Sequence, residues 1–302
     1  VSCVTFVVSV KDPERVRNPG VYRSLVSRMV ASIRNQGDRR WLLYLDGRSV
    51  PVELPRDDGR VQQVAVDFPV PGNERMAMNW NKTLKLRAGF ERAQQTDARY
   101  CMFLDSDDCV RSDLVAFLLK ASPRDPGWFL NEGFVYREGS SVAWRKTRDF
   151  HGVCGSSVIL QQEKAGRFLD RFFAEGKPFC NLASPVLAHL GQLQPLPFPG
   201  VVYSVMNGDN IFMTQGKAAA LRGKRPMFRY YARKLGYYRP APCTPAFRRR
   251  FSLTRIAAGE EGCAASPLNP GVLETGGRPP QQAAFPLSVT RGKRARAGRP
   301  AR

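Results

Sequence analysis

The chain has 302 residues, 43% hydrophobic and 24% charged, with four Trp and 18 Phe. That composition suits a globular core and excludes collagen-like, wholly disordered or disulfide-stapled miniprotein classes. The formal net charge of +21 is uneven: residues 201–302 carry 19 Lys and Arg against 4 Asp and Glu, and the first 200 carry 28 against 22.

Val4 to Val10 is a short β-branched run and reads as a first strand. It has neither the basic leader nor the small-residue cleavage site of a secretory signal, and no apolar run reaches the ~20 residues that cross a bilayer. The expectation is a cytoplasmic protein with at most peripheral membrane contact. Tyr22, Leu25, Val26, Met29, Val30 and Ile33 recur at helical spacing, with a stop at Asn35-Gln36-Gly37. Trp41 to Leu45 is a second strand ending at Asp46-Gly47, Val61 to Val66 a third, Asn79 to Gln94 a helix, and Arg99 to Leu104 a fourth strand. Ser112 is placed to cap a further helix with Leu114, Phe117, Leu118 and Ala121 inward.

Strand and helix alternating in this way predict an α/β fold, a mostly parallel central sheet flanked by helices. Such sheets bind ligands beyond the carboxyl ends of their strands. Asp46 and the cluster Asp105-Ser106-Asp107-Asp108 both fall at such ends. Three carboxylates on one turn repel each other unless a cation neutralises them, and a hard divalent ion takes oxygen ligands while leaving positions for phosphate oxygens. An isolated Asp-x-Asp-Asp is otherwise a turn that caps the next helix.

After Gly127, Trp128 to Tyr136 and Ser141 to Trp144 read as a hairpin, followed by helices at Glu163 to Phe173 and Asn181 to His189 and a strand from Val201. Beyond about Tyr238 the periodicity fails. Residues 257–302, rich in Pro and Arg, read as a disordered basic tail. Seven Cys without a Cys-x-x-Cys pair argue against both a disulfide framework and structural zinc.

Three motifs together resemble family 2-type GT-A glycosyltransferases. Ser32-Ile33-Arg34-Asn35-Gln36 is similar to the end of their first helix, Leu45-Asp46-Gly47-Arg48-Ser49 to their second-strand acidic motif, and Phe103-Leu104-Asp105-Ser106-Asp107-Asp108 to their Asp-x-Asp-Asp signature. The resemblance covers roughly the first half well and extends weakly to about 215. It implies a GT-A nucleotide-diphospho-sugar transferase fold over 1–240, with a nucleotide-sugar-binding half at 1–115 and an acceptor-side half at 116–240. It also implies hexosyl transfer from a nucleotide-diphosphate donor to a glycan or lipid-linked acceptor, assisted by Mn²⁺ or Mg²⁺. Asp46 matches the residue that reads base or ribose, and Asp105 and Asp107 match the carboxylates near ribose and metal. Asp108 and His151 are further metal-ligand candidates. The sequence departs from the family in having a single Asp at 46, and Lys11-Asp12-Pro13-Glu14 after the first strand.

In the helix at 79–94, Trp80, Leu84 and Ala88 mark one face and Lys82, Lys85, Gly89 and Arg92 another. A basic face is ordinarily a solvated one. In the family this helix begins near the donor, which makes Asn81, Lys82 and Lys85 candidate donor contacts. The base that deprotonates the acceptor is not evident. Asp209, the only acidic residue between Glu175 and Glu260, is the candidate, with a turn-forming role as its ordinary reading. His151-Gly152-Val153-Cys154-Gly155-Ser156-Ser157 is small enough for close backbone approach to a sugar. Trp128, Tyr136 and Trp144 are candidates for stacking on sugar rings or for core packing. The basic C-terminal third suits an anionic membrane surface, and no specific nucleic-acid motif accompanies it. Two other classes remain: a phosphatase of the haloacid dehalogenase type, and a non-catalytic binder of nucleic acid or anionic surfaces.

Overall fold

The computed structural model describes residues 3–54, 58–121, 125–176, 178, 193–205, 207 and 236–256. Chain order begins β1 (Cys3–Ser9), α1 (Pro19–Arg34), β2 (Trp41–Gly47), β3 (Val61–Ala65), α2 (Arg75–Ala93), β4 (Ala98–Asp105), β5 (Cys109–Val110) and α3 (Leu114–Lys120). It continues with β6 (Gly127–Phe129), β7 (Gly133–Arg137), β8 (Val142–Lys146), β9 (Val158–Gln161), α4 (Gln162–Ala174), β10 (Gln194–Pro195), β11 (Val201–Val205), β12 (Tyr238–Pro242) and α5 (Pro245–Phe251).

A seven-stranded sheet runs β10-β6-β9-β4-β1-β2-β3. β3, β2, β1 and β4 are parallel, and β9 lies antiparallel between β4 and β6. Alternation sorts the side chains onto two faces. Val4, Phe6, Val8, Leu43, Leu45, Tyr100, Met102 and Leu104 pack with Tyr22, Val26 and Met29 of α1 and Leu114 and Leu118 of α3. Val7, Tyr44, Cys101 and Phe103 pack with Leu86 and Phe90 of α2 and Phe168 and Leu169 of α4. This is the predicted α/β architecture with a mostly parallel central sheet flanked by helices. β4 pairs with β1 although two strands and two helices separate them in sequence, so the chain reverses its winding between these neighbours. That switch point opens a crevice at the strands' carboxyl ends.

A second sheet, β12-β8-β7-β11-β5, adjoins the crevice. The run expected as one strand from Trp128 to Tyr136 is divided: β6 joins the large sheet, and β7 pairs with β8 in the small one. Leu130 to Glu132 carry the chain between sheets, and Gly133 lies against Phe150, where a Cβ would come within 2.4 Å of the ring. Ser112 does not cap α3. The residue before the helix is Asp113, and the Ser112 carbonyl accepts from the Gly37 amide instead.

The loss of pattern after Tyr238 proves to be a change of partner. β12 pairs antiparallel with β8, and α5 buries Phe251 against Phe134, so the expected domain end near 240 falls inside a strand. Thr244 caps α5 by accepting from the Phe247 amide. The expected helix at 181–189 and the tail at 257–302 lie outside the described residues. Among the described residues no helix is long and apolar enough to cross a membrane, and Cys3, Cys101, Cys109, Cys154 and Cys243 are free thiols.

Candidate functional site

Ser9, Asp46 and Asp105 sit side by side across the sheet, Ser9 in register with Asp46 on one side and Asp105 on the other. In-register residues of parallel strands face the same way, here toward α2. Asp105 Oδ1 pairs with Lys82 Nζ, delivered from the second turn of α2. Burial alone would lower the Lys82 pKa, but the nearby carboxylates, Asp105 foremost, hold it above the usual value. Gly155 closes the other side, where a Cβ would lie 2.8 Å from Asp105 Oδ2 and 3.4 Å from Lys82 Nζ.

The three aspartates of the turn have different environments. Asp105 is partly exposed at the crevice. Asp107 accepts from Asn207 Nδ2 at 2.6 Å, and burial, then repulsion from Asp105, pushes its pKa up to about 6. Asp108 is fully buried and turns inward. Its Oδ2 accepts from Ser156 Oγ at 2.6 Å and Cys154 Sγ at 3.5 Å, and its Oδ1 from the Ser204 amide at 3.1 Å. Burial, then repulsion from Asp107 and Asp105, raises its pKa well above the carboxylate range. Asp108 therefore ties β4 to the 154–156 loop and to β11. Ser156 Oγ also accepts from the Asp105 amide at 2.7 Å, clamping both ends of the turn.

Beneath this turn lies an ionic strut. Arg28 of α1 holds Glu138 through two hydrogen bonds, at 2.9 and 2.6 Å, and donates to Ser204 Oγ at 3.1 Å and to the Thr254 carbonyl at 3.2 Å. It links α1, the β7–β8 turn, β11 and the segment after α5, one residue contact away from Asp108. Ser106 is held by Tyr22, whose hydroxyl lies 3.0 Å from Ser106 Oγ and accepts from the Lys11 amide at 2.8 Å.

The remaining candidates are more dispersed. Asp46 is 0% exposed, and among the described residues neither carboxylate oxygen has a hydrogen-bond partner. Burial holds its pKa well above the normal value, partly countered by Lys85. Lys85 is not on a solvated face: its ammonium, 1% exposed, donates to the Val10 carbonyl at 2.9 Å and to Asp12 Oδ1 at 2.8 Å. The buried side of α2 is Asn81, Thr83, Lys85, Leu86, Gly89, Phe90 and Ala93, so the expected faces are rotated. Burying Lys85 and Gly89 is possible because Asp12 supplies a counter-charge and Gly89 leaves room for Asp46. Asn81 donates to the Pro69 carbonyl at 3.1 Å.

His151 packs edge-on against Phe129, with ring centroids 5.1 Å apart, and burial lowers its pKa. Asp209 lies outside the described residues. Trp128 and Tyr136 are buried, which leaves Trp144, 42% exposed, as the accessible member of the three aromatic candidates. Among the described residues no group of three or more His, Cys, Asp or Glu side chains could hold a metal ion.

Sequence reasoning missed Asp12, Ser204, Asn207, Arg28 and Glu138, all of which reach the site through long-range contacts. The small residues at 154–156 were the one signal that pointed there.

No protein-family model matches the chain, and no curated protein matches it. Among solved structures it is similar to S. aureus TarS 1-349, at 6% identity and a TM-score of 0.36, over 67% of this chain and 60% of that one. The chain thus spans about 60% of that structure's length, and a likeness this low transfers no residue role.

Proposed function

We propose that the chain is a glycosyltransferase of GT-A type, moving a sugar from a nucleotide-diphosphate donor to a glycan or lipid-linked acceptor. The observation that carries this reading is the pairing of Asp105, at the carboxyl end of β4 beside the switch point, with Lys82 of α2 under the Gly155 roof. A carboxylate beside a fixed ammonium, in a crevice of a parallel sheet, suits a ligand bearing both hydroxyls and phosphates. Lys82 would contact the diphosphate, Asp105 a ribose hydroxyl, and Asn81 the nucleotide end. Lys85 and Asp46 would act from beneath, holding β1 and α2 in place.

The carboxylates of Asp105 and Asp107 fit a divalent ion chemically: each has one oxygen engaged by the protein, and each keeps a second as a hard donor. Asp108 does not fit, because both of its oxygens are spent inside the fold. His151, packed edge-on against Phe129, completes no group of three ligands with these carboxylates among the described residues. Mn²⁺ or Mg²⁺ bound there would stabilise negative charge on the departing diphosphate. In the transfer itself, an acceptor hydroxyl oxygen bonds to the anomeric carbon, the carbon–oxygen bond to the diphosphate breaks, and the diphosphate leaves with the electron pair. The hydroxyl proton passes to a base, for which Asp209 is the proposed residue. Lys82 lowers the barrier by facing the charge that develops on the leaving group.

A thermal-unfolding screen of nucleotide sugars with and without Mg²⁺ or Mn²⁺ tests the reading, since a ligand that binds only the folded state raises its apparent stability. A shift that vanishes in Asp105→Asn and Lys82→Ala is expected. No shift with any nucleotide sugar, alongside hydrolysis of phosphate esters that is lost in Asp105→Asn, would favour the phosphatase class instead.

A further inference from the structure

The small sheet presents two faces. One, with Phe134, Tyr136, Ala143 and Val202, packs under Phe251 and Leu253. On the other, Val135 and Tyr203 pack toward Phe150 and Val153 of the loop that ends at Gly155, against Asp105. This second face continues past the loop onto β8 and β12. There Trp144 stands opposite Pro240, with Val142 opposite Pro242 and Lys146 opposite Tyr238 in the same row. Trp144 is 42% exposed, and among the described residues only Met76 joins it as an exposed large hydrophobic side chain. An indole and prolines side by side make a flat apolar strip.

Cations rim this strip. Arg137 lies at the end of β7, and the Arg148 guanidinium stacks 3.5 Å from the centre of the Tyr237 ring. Lys146 is buried beneath them: its ammonium is 5.8 and 5.4 Å from the rings of Tyr237 and Tyr238 and donates to the Arg148 carbonyl at 2.7 Å, which holds the Arg148 backbone in place. Arg137 and Arg148 are exposed. Of the nearby acids, Glu138 is committed to Arg28 and Glu132 to Arg145, which leaves Asp149, among the described residues, as the exposed carboxylate of this region. The balance is positive around an aromatic centre.

We infer that the Trp144–Pro240 strip and its rim of Arg137 and Arg148 form a binding surface for an acceptor glycan that carries negative charges. The inference rests on the transferase reading above. Pyranose rings present C–H faces that stack on an indole, while phosphate or carboxylate groups along the same chain meet the guanidinium groups. β8 lies two strand spacings from β11, about 10 Å, and β11 runs toward Asn207 and Asp107. A glycan seated on Trp144 would therefore pass over the 147–157 loop, which covers Val135 and Tyr203, toward the transfer site. A nucleic acid would also meet aromatic and basic groups. The glycan is favoured because Trp144 stands on the same sheet as β11, the strand that leads to Asn207 and Asp107.

The test is calorimetric titration of the full chain with three probes of matched length. These are a neutral oligosaccharide, an oligosaccharide carrying phosphate or carboxylate groups, and a single-stranded oligonucleotide. The charged oligosaccharide is expected to bind tightest. Trp144→Ala should weaken it about tenfold, the scale of losing one aromatic stacking contact. The pair Arg137→Ala and Arg148→Ala should erase its advantage over the neutral probe. Nucleotide-sugar affinity should be unchanged in Trp144→Ala. If Trp144→Ala lowers the unfolding midpoint, Trp144→Phe decides: retained binding supports the surface, and loss overturns it. Unaltered binding in a folded Trp144→Ala, or tighter binding of the oligonucleotide through Trp144, would also overturn it. Trp144-dependent binding of the charged oligosaccharide by a chain that takes no nucleotide sugar would keep the surface and remove the transferase reading.

Discussion

Gly89 on α2 stands directly over the carboxylate of Asp46 on β2: a Cβ built at Gly89 would lie 2.0 Å from Asp46 Oδ2. The contact explains how a helix carrying Lys85 at its buried face can come so close to the sheet. It also makes the two positions interdependent.

Gly89→Ala is expected to destabilise the fold. Overpacking costs about 1–3 kcal/mol, against a helix-propensity gain of about 1 kcal/mol. Shortening the opposing side chain, in Asp46→Ala combined with Gly89→Ala, should recover most of the loss. Urea unfolding of the two single variants and the double closes the cycle; additive effects would mean that the two side chains do not meet.

Asp46 also gives stability a pH dependence. Its folded pKa is raised well above 3.8 by burial, so above the unfolded pKa of about 3.9 the folded state keeps a proton that the unfolded state has lost. The folded state is therefore favoured most below that pH and loses stability as pH rises toward the folded pKa. The contribution of one such group has a slope of up to about 1.4 kcal/mol per pH unit. Asp107 and Asp108, raised in the same direction, add to the decline. Asp46→Asn should make the curve of unfolding free energy between pH 4 and 7 shallower without flattening it. A curve superimposable on the parent's would show that Asp46 ionises freely.

Gly155→Ala bears on the site rather than the core. Its methyl group would intrude between Asp105 Oδ2 and Lys82 Nζ, at side chains whose tips are partly exposed. The expected stability loss is near the lower end of overpacking, about 1 kcal/mol. Affinity for a nucleoside diphosphate should fall at least about tenfold, equivalent to one charge-assisted contact. Titration beside thermal unfolding distinguishes the two, and equal proportional effects would place Gly155 in the fold alone.

The Arg28–Glu138 pair should behave as a buried ionic link. Arg28 is 1% exposed at its side chain and Glu138 12%. Removing one partner strands the other, so Glu138→Ala should cost about 3–5 kcal/mol by denaturant midpoint. The apolar pair Arg28→Met with Glu138→Leu should recover much of that loss. A cost below 1 kcal/mol for Glu138→Ala would mean that water reaches the guanidinium.

The strands and helices of the first 120 residues were legible because each repeats over a short window: Val4 to Val10 as a β-branched run, Tyr22 to Ile33 at helical spacing. Their order was enough to predict a mostly parallel sheet with Asp46 and Asp105 at strand ends. Local periodicity holds no information about long-range partners, however. It could not reveal that Asp12 would neutralise Lys85 and so turn an apparently solvated face inward. Nor could it reveal that Ser156 and Ser204 would draw Asp108 out of the acidic cluster, or that the chain after Tyr238 would return as β12 to edge the small sheet. The sequence by itself determined the layers and the acidic turn, since these depend on neighbouring residues sharing one face. Only the tertiary structure decided which carboxylates face the crevice, because a charge enters the interior only where a distant partner meets it.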